Sequence, residues 1–97
     1  MPESELKAAL KTMLNKRGAF WSMIPGGAYG KKGDPDMVVC YKGFYVAVEA
    51  KTPTGRQRPD QKLRQEQIEA AGGIYILARS MKQVVDVLDE IDARTSK

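Results

Sequence analysis

Phe44-Tyr45-Val46-Ala47-Val48-Glu49-Ala50-Lys51 is the stretch that decides the fold. Phe44, Val46, Val48 and Ala50 alternate with Tyr45, Ala47, Glu49 and Lys51, which is the period of two of a β-strand. Glu49 and Lys51 therefore share a face with the apolar Tyr45 and Ala47, where unpaired charge is costly to desolvate and a partner is needed. Upstream, Gly33-Asp34-Pro35-Asp36 leads into a second apolar run, Met37-Val38-Val39-Cys40-Tyr41. Only Lys42-Gly43 separates the runs, so they are predicted to pair as an antiparallel hairpin. Asp36, opening one strand, would then lie beside Glu49, near the end of the other. Two carboxylates with a lysine at hand suit a hard, oxygen-seeking divalent cation and a water molecule.

Working outward, Ser4 is the expected cap of a first helix, with Glu3 and Glu5 near its positive end. Leu6, Leu10, Met13 and Leu14 give that helix a core face, and Gly18 stops it. Ala19 to Ile24 reads as a short strand, with Phe20, Trp21 and the later Cys40 assigned to the core. Pro25 to Gly33, rich in glycine and carrying Tyr29, Lys31 and Lys32, reads as a flexible basic loop. Beyond the hairpin, the loop Thr52 to Arg58 leads to Pro59, at a favoured first helical position. The helix from Pro59 to about Ala71 has few apolar residues (Leu63, Ile68, Ala70, Ala71) and ends at Gly72-Gly73. Ile74 to Ala78 is an apolar strand expected in the centre of the sheet. Ser80 and Gln83 have capping-box spacing before a last helix with Met81, Val84, Val85, Leu88 and Ile91 on one face. Ala93 to Lys97 is expected to be a frayed polar tail. The predicted architecture is α/β, order αβββαβα, a mixed sheet flanked by helices.

Composition narrows the chemistry. The 97 residues suit one domain, residues 1–97, and 42% hydrophobic with 29% charged residues is ordinary for a soluble globular chain. No apolar run approaches the roughly 20 residues that span a bilayer, and no signal-peptide pattern opens the chain, so no membrane association is expected. A single cysteine excludes an internal disulfide and fits a reducing, cytoplasmic setting. The formal charge of +4 favours an anionic partner. With no histidine in the chain, Ser-His-Asp and Cys-His catalysis and His-ligated zinc are excluded in cis.

A strand opening with Asp36, a strand closing Glu49-Ala50-Lys51, then a helix and a strand resemble the PD-(D/E)XK nuclease superfamily, with its restriction-endonuclease-like core. More narrowly, the chain resembles the VRR-NUC (virus-type replication–repair nuclease) family. That likeness is carried by Gly33-Asp34-Pro35-Asp36, Val48-Glu49-Ala50-Lys51-Thr52, Gly55 to Gln61 and Ala71-Gly72-Gly73-Ile74-Tyr75, with Glu5 as the acid on the first helix. The resemblance implies that Asp36, Glu49 and the main-chain carbonyl of Ala50 ligate Mg²⁺ or Mn²⁺, with Glu5 joining directly or through water. It implies that Lys51 serves the attacking water and the phosphate charge, and that Gln61 orients Lys51 or a phosphate. No organic cofactor is implied. Asp34, an extra acid before Pro35, could turn toward the same pocket or toward solvent. Gly73-Ile74-Tyr75 matches the opening of another nuclease motif, but no partner motif follows, and it reads as a decoy in a buried strand.

Lys31, Lys32, Arg56, Arg58, Lys62 and Arg64 cluster in the loops and helix beside the expected site, where a phosphate backbone would run. The expected activity is metal-dependent DNA endonuclease. The resemblance suggests selectivity for branched DNA such as four-way (Holliday) junctions, cut by a homodimer in a bacterial host or from a phage. The alternatives are a non-catalytic DNA-binding subunit of the same fold, or a nuclease acting on single-stranded or linear duplex DNA.

Overall fold

A computed structural model describes residues 2–25 and 33–96. The elements are α1 (Glu3–Lys16), β1 (Phe20–Met23), β2 (Met37–Tyr41), β3 (Phe44–Ala50), α2 (Pro59–Ala70), β4 (Ile74–Ala78) and α3 (Met81–Thr95), in the predicted order. They build one four-stranded sheet, β1-β2-β3-β4. The first three strands are antiparallel, and α2 carries the chain across to β4, parallel to β3. β4, expected in the centre, is instead the last strand of the sheet. Its apolar character comes from burial on both faces: Ile76 and Ala78 enter the core, while Tyr75 is buried on the opposite face, where α2 packs on β4.

Strand alternation divides the sheet cleanly. Met37, Val39, Tyr41, Val46, Val48 and Ala50 join Ile76 and Ala78 on one face, covered by Leu6, Leu10 and Leu14 of α1 and Val84, Leu88 and Ile91 of α3. Trp21 borders this core as expected, and Met23 packs beside it against the same core. Phe20 and Cys40 do not belong to it. They pair across β1 and β2 on the other face, and Phe20 is 75% exposed. The period of two decides this, because Trp21 and Val39 already occupy the inner positions of those strands. Met81 is likewise exposed, with Val87 packing at the core edge in α3.

The helix ends follow backbone hydrogen bonding. Pro2, extended at φ −62°, is the N-cap of α1, and its carbonyl accepts the Leu6 N–H, so Ser4 lies inside the first turn. Gly18, at φ 74°, lets Gly18 N–H reach Asn15 O and Ala19 N–H reach Leu14 O, which closes the carboxyl end. The Ser80 N–H donates to Gln83 Oε1 (3.1 Å), completing the expected box at α3. Ala93 to Thr95, expected to fray, are helical, with Thr95 Oγ1 donating to Ile91 O (2.9 Å). Within the described residues no helix is long and apolar enough to cross a membrane.

The β2–β3 hairpin is clamped from behind. Both turn residues have positive φ, Lys42 at 50° and Gly43 at 87°, as a tight two-residue hairpin requires. That conformation is unfavourable for lysine, and the Lys42 ammonium is held by Asp92 of α3 (2.6 Å). Asp92 also accepts from Tyr41 Oη (2.8 Å) and from Arg17 at the end of α1 (2.7 Å). One carboxylate thus joins the hairpin turn, α1 and α3. Lys42 foremost, with Tyr41, holds its pKa down at about 2.

The fully buried Leu10 sits where α1 meets the sheet. Leu10→Ala is expected to cost about 2–5 kcal/mol in urea unfolding, through lost apolar transfer and an unfilled cavity.

Candidate active site

One step beyond the Met37–Val48 pair, the register of β2 and β3 sets Asp36 beside Glu49. Asp36 is pinned there. Its Oδ2 accepts the Ala50 N–H (2.7 Å), and its Oδ1 lies 3.3 Å from Lys7 Nζ of α1. Glu49 is only 6% exposed. Burial, then the adjacent charge of Asp36 and a hydrogen bond shared with it, push the Glu49 pKa up to about 7, against the pull of Lys51 and Lys7. Near neutrality Glu49 therefore keeps its proton for much of the time. Lys51 follows the strand, its N–H donating to Ala78 O (2.9 Å), with its side chain beneath the next loop near Gly55. Asp36, Glu49, Ala50 and Lys51 thus meet at the end of the hairpin.

The approach to Asp36 is shaped by Gly33. It is buried with φ 90°, and a Cβ there would collide with the backbone carbonyl of Asp60. Only glycine permits the Gly33–Asp36 segment to dock on the start of α2. Asp34 turns away from the acid pair, its Oδ1 lying 3.1 Å from Arg64 Nε. Of the two orientations open to Asp34 in the sequence, neither was this ion pair with α2.

The remaining expected residues are placed as follows. Glu5 is exposed on the first turn of α1, and the side chain α1 brings to the acids is Lys7. No group of three or more His, Cys, Asp or Glu side chains converges as metal ligands among the described residues. Gln61 is 3% exposed, but its Oε1 accepts the Arg58 N–H (2.9 Å), so it caps α2 rather than serving Lys51. Arg58 pairs with Asp60, while Arg64 bonds Asp34 and Gln67. Arg56 and Lys62 are exposed. Lys31, Lys32 and Tyr29 lie outside the described residues.

Two further residues were not expected from the sequence. Lys7 adjoins the core position Leu6, and helical spacing alone carries no sign that it reaches Asp36. Arg79, just past β4, donates to Thr52 O (2.7 Å) and Gly55 O (2.6 Å), fastening the loop after Lys51. A chain signal existed only for Arg79, the single charge ending an apolar strand.

A divalent cation suits this donor set. The side chains offer hard oxygens, two acids that repel one another are already paired, and Mg²⁺ is commonly held by one or two carboxylates with waters and phosphate completing its shell.

The order αβββαβα, with a mixed sheet flanked by helices, is the α/β fold class expected from the sequence. A solved structure titled "VRR_NUC domain" has this fold, with a TM-score of 0.75 and 22% identity over 90% of this chain and 94% of that one. No family model and no curated protein matches the sequence.

The Glu49 shift has a sign that can be checked. Its folded pKa of about 7 lies above the ordinary 4.5, so its contribution to stability is complete below that value and is lost as pH rises through 7. Asp92 is shifted the opposite way, toward 2, and affects stability only in more acidic solution. In EDTA, the melting temperature should therefore fall between pH 5 and pH 8, and Glu49→Gln should flatten that slope in differential scanning calorimetry.

Proposed function

We propose that the protein is a metal-dependent endonuclease that hydrolyses phosphodiester bonds in DNA. The observation that carries this reading is the Asp36–Glu49 pair, buried against its own repulsion at a strand end with Lys51 alongside. An acid perturbed by burial and by a specific charged neighbour is a physical pointer to a functional site. Asp36 and Glu49 would hold Mg²⁺ or Mn²⁺, with the Ala50 carbonyl as a further oxygen ligand. When bound, such an ion lowers the pKa of a water ligand and polarises a phosphoryl oxygen.

The side chains do the rest. Asp36 enters the site already oriented by the Ala50 N–H, and Lys7 is the cation that relieves its charge until another replaces it. The proton retained by Glu49 leaves as the pair takes up positive charge. Lys51 offsets the charge that builds on the phosphate and hydrogen-bonds the attacking water. Exposed Arg56 and Lys62, with Lys31 and Lys32, supply attraction for the DNA backbone without reading bases. The resemblance in sequence supports branched DNA, four-way junctions in particular, as the preferred substrate. It also supports a homodimer, because one small chain offers one site and cutting two strands symmetrically calls for two copies.

Four-way, flap, linear duplex and single-stranded DNA, each incubated with Mg²⁺, Mn²⁺ or EDTA, test the activity. Cleavage should be strongest on the four-way junction, absent in EDTA, and reduced about 10²–10³-fold by Lys51→Ala, the range for removal of one electrostatic stabiliser of the transition state. Binding without cleavage of any substrate would instead make this a DNA-binding subunit, and cleavage unaffected by Lys51→Ala would put the reaction elsewhere. Light scattering after gel filtration should give the mass of a dimer, free or with junction DNA; monomers in both samples would rule out the paired arrangement.

A further inference from the structure

Tyr75 is the residue on the site face to which the chemistry above assigns no part. β4 runs parallel to β3 with Tyr75 paired to Ala47 and Leu77 to Glu49, so the Tyr75 ring rises from the same face as Glu49. Tyr75 precedes Glu49 by two registers and Lys51 follows it by two residues. Along the strand direction the Cα atoms of Tyr75 and Lys51 thus lie roughly 7 Å to either side of that of Glu49. The residue is 7% exposed, and its hydroxyl is shielded without a hydrogen-bond partner. Gln57 approaches closely enough to draw the hydroxyl pKa down, but the two side chains do not meet in hydrogen-bond geometry.

A buried hydroxyl without a partner is unfavourable, and in a folded protein it calls for an explanation. The acids beside it are already engaged. Asp36 uses both oxygens on Ala50 and Lys7, and Glu49 lies against Asp36 across the hairpin. Burial, together with the charges of Glu49 and Asp36, keeps the phenol protonated through the neutral range, so it has a hydrogen to give. What the site lacks is an acceptor arriving from outside.

We propose that Tyr75 donates its hydroxyl hydrogen bond to a non-bridging oxygen of the phosphate cut at Asp36 and Glu49, on the side of Glu49 opposite Lys51. This rests on the nuclease reading above. A phosphate oxygen is a charged acceptor, which makes such a bond stronger than one between neutral groups. The ammonium and the phenol then hold the phosphate from two sides.

Tyr75→Phe removes only the hydroxyl. With the junction DNA and Mg²⁺ both saturating, the single-turnover cleavage rate should drop about 10- to 100-fold, the effect expected for one hydrogen bond to a charged group. In EDTA the variant should melt at the wild-type temperature or above it, because no bond within the protein has been lost. Fluorescence anisotropy in EDTA should show junction affinity little changed, since contacts along the backbone dominate it. A wild-type rate in the variant overturns the proposal. So does a lower melting temperature, which would mean that the hydroxyl serves the fold. A wild-type protein that cuts no DNA overturns the nuclease reading itself, and that result is visible before any variant is compared.

Discussion

The pairing of β2 with β3 across Lys42-Gly43 is the constraint from which the site follows. A two-residue turn allows one register, and a slip of a single residue would invert every side chain on the strand. In the observed register the inner positions Val39 and Val46, and Met37 and Val48, face each other in the core. Continuing one step places Asp36 against Glu49. The apolar packing of one face thus positions the acids at the strand ends. The hub at Asp92 guards the far end of the same hairpin, holding the strained Lys42 turn against α1 and α3.

Two acids of this protein show opposite responses to their surroundings. Asp92 is approached by a lysine, an arginine and a phenol, and stays ionised into strong acid. Glu49 is buried beside another carboxylate, and its two nearby lysines do not cancel that cost. The first arrangement stabilises the fold, while the second is unfavourable. An unfavourable arrangement maintained by the rest of the structure is the signature of a place built to receive something else.

Around the acids, much of the positive charge is committed to holding the frame. Arg79 binds the carbonyls of the loop after Lys51, Arg64 takes Asp34, and Arg58 takes Asp60. Gln61 closes the start of α2. The rigidity given to the Lys51 loop and to the Gly33–Asp36 segment keeps the acids and the amine in fixed relation. The frame therefore draws on basic residues other than the exposed Arg56 and Lys62.

The alternation from Phe44 to Lys51 and the two-residue turn before it were enough to place Asp36, Glu49 and Lys51 together, because hairpin pairing is a local consequence of chain geometry. Helix positions were equally legible where apolar residues recur at helical spacing, as in Leu6, Leu10 and Leu14. What the sequence could not settle involves contacts between distant segments. β4 looks central because it is apolar, yet its position at the sheet edge depends on where α2 delivers it. Phe20 and Cys40 look like core residues, yet whether a helix covers their face is decided by packing. The same holds for polar side chains with long reach: that Lys7 meets Asp36, that Asp34 meets Arg64 and that Gln61 turns back to cap its helix follows from three-dimensional proximity, which local periodicity does not encode.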